Sequence, residues 1–257
     1  MEEKINMIKP YTIRFVSPRA DMGKTFIASN VVSLLKNKGY VVGVIKHCPH
    51  GIDLEDKDSH VYILKGADVV IASSSNLGVI YRRAWIDSLS FILGYINAPI
   101  IIVEGFKGDN VGDTIVVAEN IDEARKTSFE QYVVAYVVKN VSEDVKNLKI
   151  PVFTFNEVEE LAKFIEDRAI NYIYSQLPQT NCRYCGFNSC KELANAYVKG
   201  LAYGCAVKTD IRLIVDGRGI ELNPFVKRLL RSMIVGFIDV LKGIPKERKE
   251  IIIELKE

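Results

Sequence analysis

Pro18-Arg19-Ala20-Asp21-Met22-Gly23-Lys24-Thr25 stands between a β-rich run, Tyr11 to Ser17, and a helical pattern, Lys24 to Lys38. In that pattern Ile27, Val31, Leu34 and Leu35 recur on one side until Gly39 stops the helix. Strand, loop, helix is the setting of the motif G-x-x-x-x-G-K-S/T. There, backbone N–H groups and a helix N-terminus close around phosphate oxygens, the Lys neutralises them and the hydroxyl reaches Mg2+. Gly23, Lys24 and Thr25 fill the last three places. Pro18 stands where the first Gly belongs, which removes one N–H and holds φ near about −65°. Asp21 adds a charge inside the loop. The expected nucleotide-binding residues are Arg19, Ala20, Asp21, Met22, Gly23, Lys24, Thr25 and Phe26.

Working outward, the apolar runs Val41 to Ile45, Val69 to Ala72, Ile100 to Val103 and Tyr132 to Val138 read as strands buried on both faces. They alternate with helical patterns such as Ile86 to Ile96. The expectation is an α/β fold, a P-loop NTPase domain with a mostly parallel sheet. Pro151 to Phe155 reads as its last strand and Glu157 to Gln176 as a closing helix, so this domain is expected to span 1–177. Residues 178–257 are expected to form a second, small α+β domain around the cysteines. It comprises the cysteine loop, a helix from Lys191 to about Leu201, a strand Ile211 to Val215, a turn at Asp216-Gly217-Arg218-Gly219, a helix Pro224 to Leu241 and a final strand Glu250 to Leu255.

The 257 residues carry 34 Lys and Arg against 32 Asp and Glu, too even a balance to predict nucleic acid or an anionic membrane as partner. No stretch approaches the roughly 20 apolar residues that cross a bilayer. Met1 to Lys9 alternates charged and apolar side chains without a signal-peptide pattern, so a cytoplasmic location is expected.

In open parallel sheets, chemistry gathers at the carboxyl ends of strands. After the second strand come Lys46, His47 and His50, then Asp53, Asp58 and Ser59, a density suited to Mg2+ or to substrate contact. Asp58 or Ser59 capping the next helix is the other reading. After Ile100 to Val103 comes Glu104-Gly105-Phe106-Lys107. Glu104 is the catalytic candidate, since a carboxylate there can hold the Mg2+ water shell or orient an attacking water. Thr25 and Glu104 are the expected Mg2+ residues, and Lys107 joins the substrate or Mg2+ loop.

Taken together, the phosphate loop, Lys46-His47 with His50, Lys57-Asp58-Ser59, Gly66-Ala67 and Glu104-Gly105-Phe106-Lys107 resemble the molybdopterin-guanine dinucleotide biosynthesis protein B (MobB) family over roughly residues 10–175. That resemblance implies a dimeric, GTP-binding and at most slowly GTP-hydrolysing accessory protein of molybdenum-cofactor guanylylation, with Lys24 and Thr25 on phosphates and Mg2+. Its protein partner would be the enzyme that attaches GMP to molybdopterin. The Asn-Lys-x-Asp base-reading motif is missing, so ATP stays open beside GTP.

Four of the five cysteines crowd together as Cys182-x2-Cys185-x4-Cys190-x14-Cys205. Four thiolates can hold a 4Fe-4S cluster or a zinc ion. Zinc sites usually come as two short paired spacings, and this one does not. The segment, extended by Leu222-Asn223-Pro224-Phe225-Val226, resembles the small four-cysteine iron-sulfur domain of acetyl-CoA pathway corrinoid proteins. Two further readings remain open: a nucleotide-switched, redox-sensing or cluster-carrying binding module, and a small-molecule kinase or ligase of the P-loop superfamily.

Overall fold

A computed structural model describes residues 8–49, 51–52, 57–126, 132–140, 148–202, 204–205, 211, 213–216, 218–220, 222, 224–244 and 251–253. β1 (Tyr11–Val16) leads through the loop into α1 (Lys24–Asn37) and back to β2 (Val42–Lys46). Then come α2 (Lys57–Leu64), β3 (Val69–Ser73), β4 (Gly78–Arg82), α3 (Leu89–Ile92) with a 3-10 turn (Leu93–Tyr95), and β5 (Ile100–Glu104). β6 (Asp113–Ala118), α4 (Ile121–Arg125), β7 (Val133–Val138), β8 (Val152–Thr154) and α5 (Val158–Ser175) follow. The chain continues through α6 (Cys190–Val198), β9 (Leu213–Val215), β10 (Arg218–Ile220) and α7 (Pro224–Asp239).

Six strands make one parallel sheet in the order β2-β5-β1-β6-β7-β8. The fold is the expected P-loop α/β architecture. Strand side chains alternate between two cores, as period-two strands must. Ile100 and Ile102 join Ile13, Phe15, Ile27 and Val31 under α1 and α5 on one face. Ile101 and Val103 join Ile45, Leu89 and Phe106 on the other. Burying each such aliphatic side chain is worth about 1.5–3 kcal/mol, so β5 alone supplies a large driving force at the centre of the sheet. At the foot of β1, Asp113 accepts hydrogen bonds from Tyr11 Oη and Arg168 Nε, both at 2.7 Å, which staples α5 to the sheet.

Several elements differ from the sequence expectation. Val69 to Ala72 is not a buried strand of the parallel sheet: β3 pairs antiparallel with β4 in a separate hairpin, where Val69, Ile71 and Ile80 are exposed. Its apolar run looks like the buried strands, but Ser74 closes a tight turn on Leu77 and hands the run a local antiparallel partner. The helical pattern Ile86 to Ile96 contracts to one α turn and one 3-10 turn. β6, absent from the sequence reading, is a central strand with Ile115, Val116, Val117 and Ala118 fully buried. Ile251, Ile252 and Ile253, expected in a final strand, are in no ladder, and the rest of that segment lies outside the described residues.

The cysteine-bearing helix does not stand apart from the sheet domain. Leu193, Ala194 and Val198 of α6 belong to the core that also holds Ile165, Ala169 and Ile173 of α5, and Leu177 lies within it. Beyond α6, the β9–β10 hairpin and α7 give the α+β character expected of the tail. The described apolar residues Phe225, Leu229, Met233 and Phe237, at fourfold spacing along α7, are all exposed. Among the described residues no helix is long and apolar enough to cross a membrane.

Candidate functional site

The loop after β1 is built to close on itself. Asp21 (φ 56) and Gly23 (φ 86) take left-handed conformations, costly for most side chains, free for glycine and tolerated by Asp. Gly23 has a second constraint: a Cβ there would lie 2.6 Å from Phe155 Cε1, so only glycine fits beneath that ring. Met22 is buried and anchors the loop from within, and Gly23 sits at the N-cap of α1. The helix N-terminus, with its unpaired N–H groups, therefore opens where the loop turns.

Side chains converge on that turn. Lys24 Nζ donates to Ser17 Oγ at 2.7 Å, and Ser17 Oγ in turn donates to the Arg19 carbonyl. Thr25 Oγ1 donates to Glu104 Oε1 at 2.6 Å. From the far side Lys107 Nζ donates to the Pro18 carbonyl at 3.3 Å. The sheet explains the meeting. Glu104 ends β5 in register with Phe15 of β1 and Lys46 of β2, so a carboxylate and a lysine arrive level with the start of the phosphate loop. Partial burial pushes the Lys24 ammonium below its ordinary pKa; Lys107 and Lys46 push the same way, while Glu104 and Asp21 oppose them. Two further lysines whose charges repel the Lys24 ammonium make the turn a place that favours a polyanion.

Other expected site residues are placed differently. His47 stacks on Phe106 with ring centroids 4.2 Å apart, and its Nε2 lies 3.0 Å from Asp87 Oδ2. Gly105, at φ 102, passes so close beneath His47 that a Cβ would come within 2.8 Å of the histidine Cβ. His47 thus wedges the Glu104 to Lys107 turn. Arg19 pairs with Glu123 at 3.0 Å, toward α4. Ala20 and Phe26 are exposed beside the loop. His50 and Asp53 lie outside the described residues, and Asp58 and Ser59 are placed only as far as their position in α2.

Four residues that the sequence reading passed over support the site. Ser17 receives Lys24, Phe155 packs on Gly23 and Asp87 meets His47. Arg14 is the fourth: inside β1 it donates to the Val111 carbonyl (2.9 Å), the Phe106 carbonyl (3.0 Å) and Thr114 Oγ1 (2.7 Å). Burial lowers its guanidinium pKa, opposed by Asp109. The signal was legible: an arginine amid a fully buried apolar strand must find partners for its donors, and the turn after Glu104 supplies them.

The cysteine-bearing segment packs at the opposite end of the strands. The Val198 carbonyl accepts from Val41 N at 3.0 Å, Lys199 lies over the Tyr40 ring, and a Cβ at Gly204 would come 3.9 Å from Ile8. These partners all precede β1 or β2, the end remote from the phosphate loop. Cys190 and Cys205 are buried in the main core, Cys185 packs against it, Cys182 is half-buried, and all four are free thiols. Gln179, Asn181, Arg183 and Gly186 take positive φ, so the loop carrying the first two cysteines winds tightly. The donor set fits a thiolate-bound metal or cluster, although among the described residues no three His, Cys, Asp or Glu side chains are drawn together as a metal site.

Comparison with known proteins converges on one family. The model for "Molybdopterin guanine dinucleotide synthesis protein B" matches residues 13–139, and a second, "Putative Fe-S cluster", matches 177–203. A protein of Methanocaldococcus jannaschii, "Putative molybdopterin-guanine dinucleotide biosynthesis adapter protein", is 28% identical over 87% of this chain and 89% of its own length. The "Molybdopterin-guanine dinucleotide biosynthesis adapter protein" of Escherichia coli K12 is 24% identical over 56% of this chain and 85% of its own. Among solved structures, Bacillus subtilis MobB superposes with a TM-score of 0.51 at 18% identity, covering 61% of this chain and 96% of that one, a likeness of fold. Over residues 13–139, then, this chain is similar to the molybdopterin guanine dinucleotide synthesis protein B family.

Proposed function

We propose that this protein is a nucleotide-binding adapter of molybdopterin-guanine dinucleotide synthesis, which binds GTP with Mg2+ and hydrolyses it slowly. The observation that carries this reading is the convergence of Lys24, Lys46 and Lys107 on a loop whose Thr25 hydroxyl already touches Glu104. In the proposal, residues 19–26 cradle the phosphates, with Lys24 and Lys107 neutralising them. Thr25 and Glu104 would hold Mg2+, which would supply charge neutralisation to the phosphates, and Glu104 would also orient the attacking water. Pro18 lacks the N–H that a glycine would offer and spends its carbonyl on Lys107, which supports slow or partner-dependent turnover. The family match and the names of the two relatives support the pathway and a protein partner. Homodimerisation and a cytoplasmic location belong to the same proposal.

The test is calorimetric titration of GTP and ATP with Mg2+ into wild type and Lys24→Ala. Wild type should bind a triphosphate, and the variant should lose at least about tenfold in affinity, the worth of a charge-assisted contact. Equal affinity in both proteins would remove the nucleotide assignment.

The four-cysteine segment supports a second element, a 4Fe-4S cluster on Cys182, Cys185, Cys190 and Cys205, with zinc as the competing occupant. The Fe-S family match over 177–203 and the four free thiols support it. Residues 1–177 and 178–257 would then be the nucleotide and cluster units. α6 shares a core with α1 and α5, and a nucleotide-switched cluster carrier is the alternative reading. Iron and zinc analysis of anaerobically purified protein, with Cys182→Ser and Cys190→Ser beside it, distinguishes the metals. About four irons and a visible absorbance lost in both variants is the expected result, and stoichiometric zinc in a colourless protein would overturn it.

A further inference from the structure

A cavity of about 360 Å³ begins one residue beyond the phosphate loop and runs between the first turns of α1 and the start of α5. Phe26 and Asn30 of α1 and Asn156, Val158, Glu159 and Glu160 from the end of β8 into α5 stand in its wall. Its size is that of a small-molecule site. Its chemistry is unlike the core below it. Phe26 is 56% exposed, and its ring lies within 6° of parallel to Phe155 at 6.3 Å between centroids. Phe155 is itself held against Gly23 of the phosphate loop, so the aromatic wall is fixed to the loop.

The polar wall has a direction too. Glu159 and Glu166 are seven residues apart on α5, hence on one face. Glu166 reaches across to Lys38 Nζ and Tyr40 Oη, both at 2.7 Å, beyond the end of α1. Two turns earlier Glu159 is therefore on the face turned to α1, and among the described residues it takes part in no ion pair.

We infer that this cavity is the base-reading site of the nucleotide, that it takes a guanine, and that Glu159 is its specificity-determining residue. The inference rests on the phosphate reading above. A flat ring lies against Phe26, which Phe155 backs, as planar aromatics pack. Guanine presents N1–H and the C2 amino group side by side, two donors matched to one carboxylate, and an O6 acceptor suited to the Asn156 amide. Adenine carries a lone pair at N1, which a carboxylate repels. Selection of this kind is strong because the wrong base leaves a polar group of the site without a partner. An Asn-Lys-x-Asp motif is then unnecessary: the carboxylate comes from the first turn of α5.

The experiment is calorimetric titration of full-length wild type, Glu159→Gln and Phe26→Ala with Mg2+ and GTP, ATP, XTP or inorganic tripolyphosphate. Xanthine carries a C2 carbonyl where guanine has the amino group, so a glutamine amide can donate to it. Wild type should prefer GTP to ATP and XTP by about tenfold or more. Glu159→Gln should lose about tenfold for GTP, gain affinity for XTP and leave tripolyphosphate unchanged. Phe26→Ala should weaken every nucleotide relative to tripolyphosphate. If tripolyphosphate and nucleotides bind but Glu159→Gln leaves the GTP to XTP ratio unchanged, the base site is overturned while the phosphate site stands. Failure of tripolyphosphate and every nucleotide to bind wild type overturns the phosphate reading, and this inference with it.

Discussion

Thr25 Oγ1 donates to Glu104 Oε1 at 2.6 Å, joining the first turn of α1 to the end of β5 across 79 positions of sequence. A hydroxyl and a carboxylate this close form a two-oxygen set of the kind Mg2+ accepts. Glu104→Gln keeps the shape and removes the charge. It should abolish the Mg2+-dependent part of GTP affinity, about tenfold, and lower turnover by about 10²-fold. Titration with and without Mg2+, followed by phosphate release, checks both. An unchanged Mg2+ dependence would take Glu104 out of the metal site.

Lys107 approaches the same turn from the opposite side and works against the charge of Lys24. Phosphate binding needs Lys24 protonated, so affinity should fall as pH rises through its lowered pKa. In Lys107→Ala one repelling charge is gone, and that fall should move to higher pH. At neutral pH the variant should bind triphosphate about tenfold more weakly, with a shallower dependence on salt. Affinity measured across pH, in both proteins, separates the two effects.

Gly23 answers to both backbone and neighbour. Gly23→Ala places a Cβ at φ 86 and against Phe155, and should cost about 1–3 kcal/mol. Adding Phe155→Ala removes the collision but not the backbone strain. The double variant should therefore be less destabilised than the sum of the two single changes, by an interaction energy that denaturant unfolding of all four proteins measures.

Burial works to raise the Glu166 carboxyl pKa, but hydrogen bonds from Lys38 and Tyr40, with the charges of Lys38 and Lys199, hold it below the ordinary glutamate value. A depressed carboxylate adds stability that is complete above the unfolded pKa, about 4.3, and is lost as pH falls through the folded value. Glu166→Gln should thus lower Tm by a few degrees at pH 7. The gap to wild type should narrow progressively below about pH 4. A constant gap over that range would mean that the Glu166 charge contributes nothing.

Which strands would be found depended on how far each signal was local. β5 and β7 announced themselves as apolar runs of strand length, and α1 and α5 as periodic patterns ended by Gly39 and near Pro178. β3 carries the same local signal as β5, yet it pairs within a hairpin, because an apolar run does not state its partner. β6 was passed over although its four apolar residues are fully buried; it begins with Asp113 and Thr114, whose polar side chains serve Tyr11, Arg168 and Arg14.

By itself the sequence determined the chemistry available: a Gly-Lys-Thr turn before a helix, a carboxylate after a buried strand, lysines at strand ends and four crowded cysteines. Each of these is a local pattern set by backbone geometry and residue type. Only the tertiary structure decided the company they keep. The strand order puts β5 between β1 and β2, which brings Glu104 to Thr25 and Lys46 level with both. The same packing sends His47 to Asp87, sets the cysteine-bearing helix at the end of the strands remote from the phosphate loop, and brings Glu159 and Phe26 into the wall of one cavity between two helices. Those relationships are long-range, fixed by which buried faces fit one another, and a linear pattern carries no record of them.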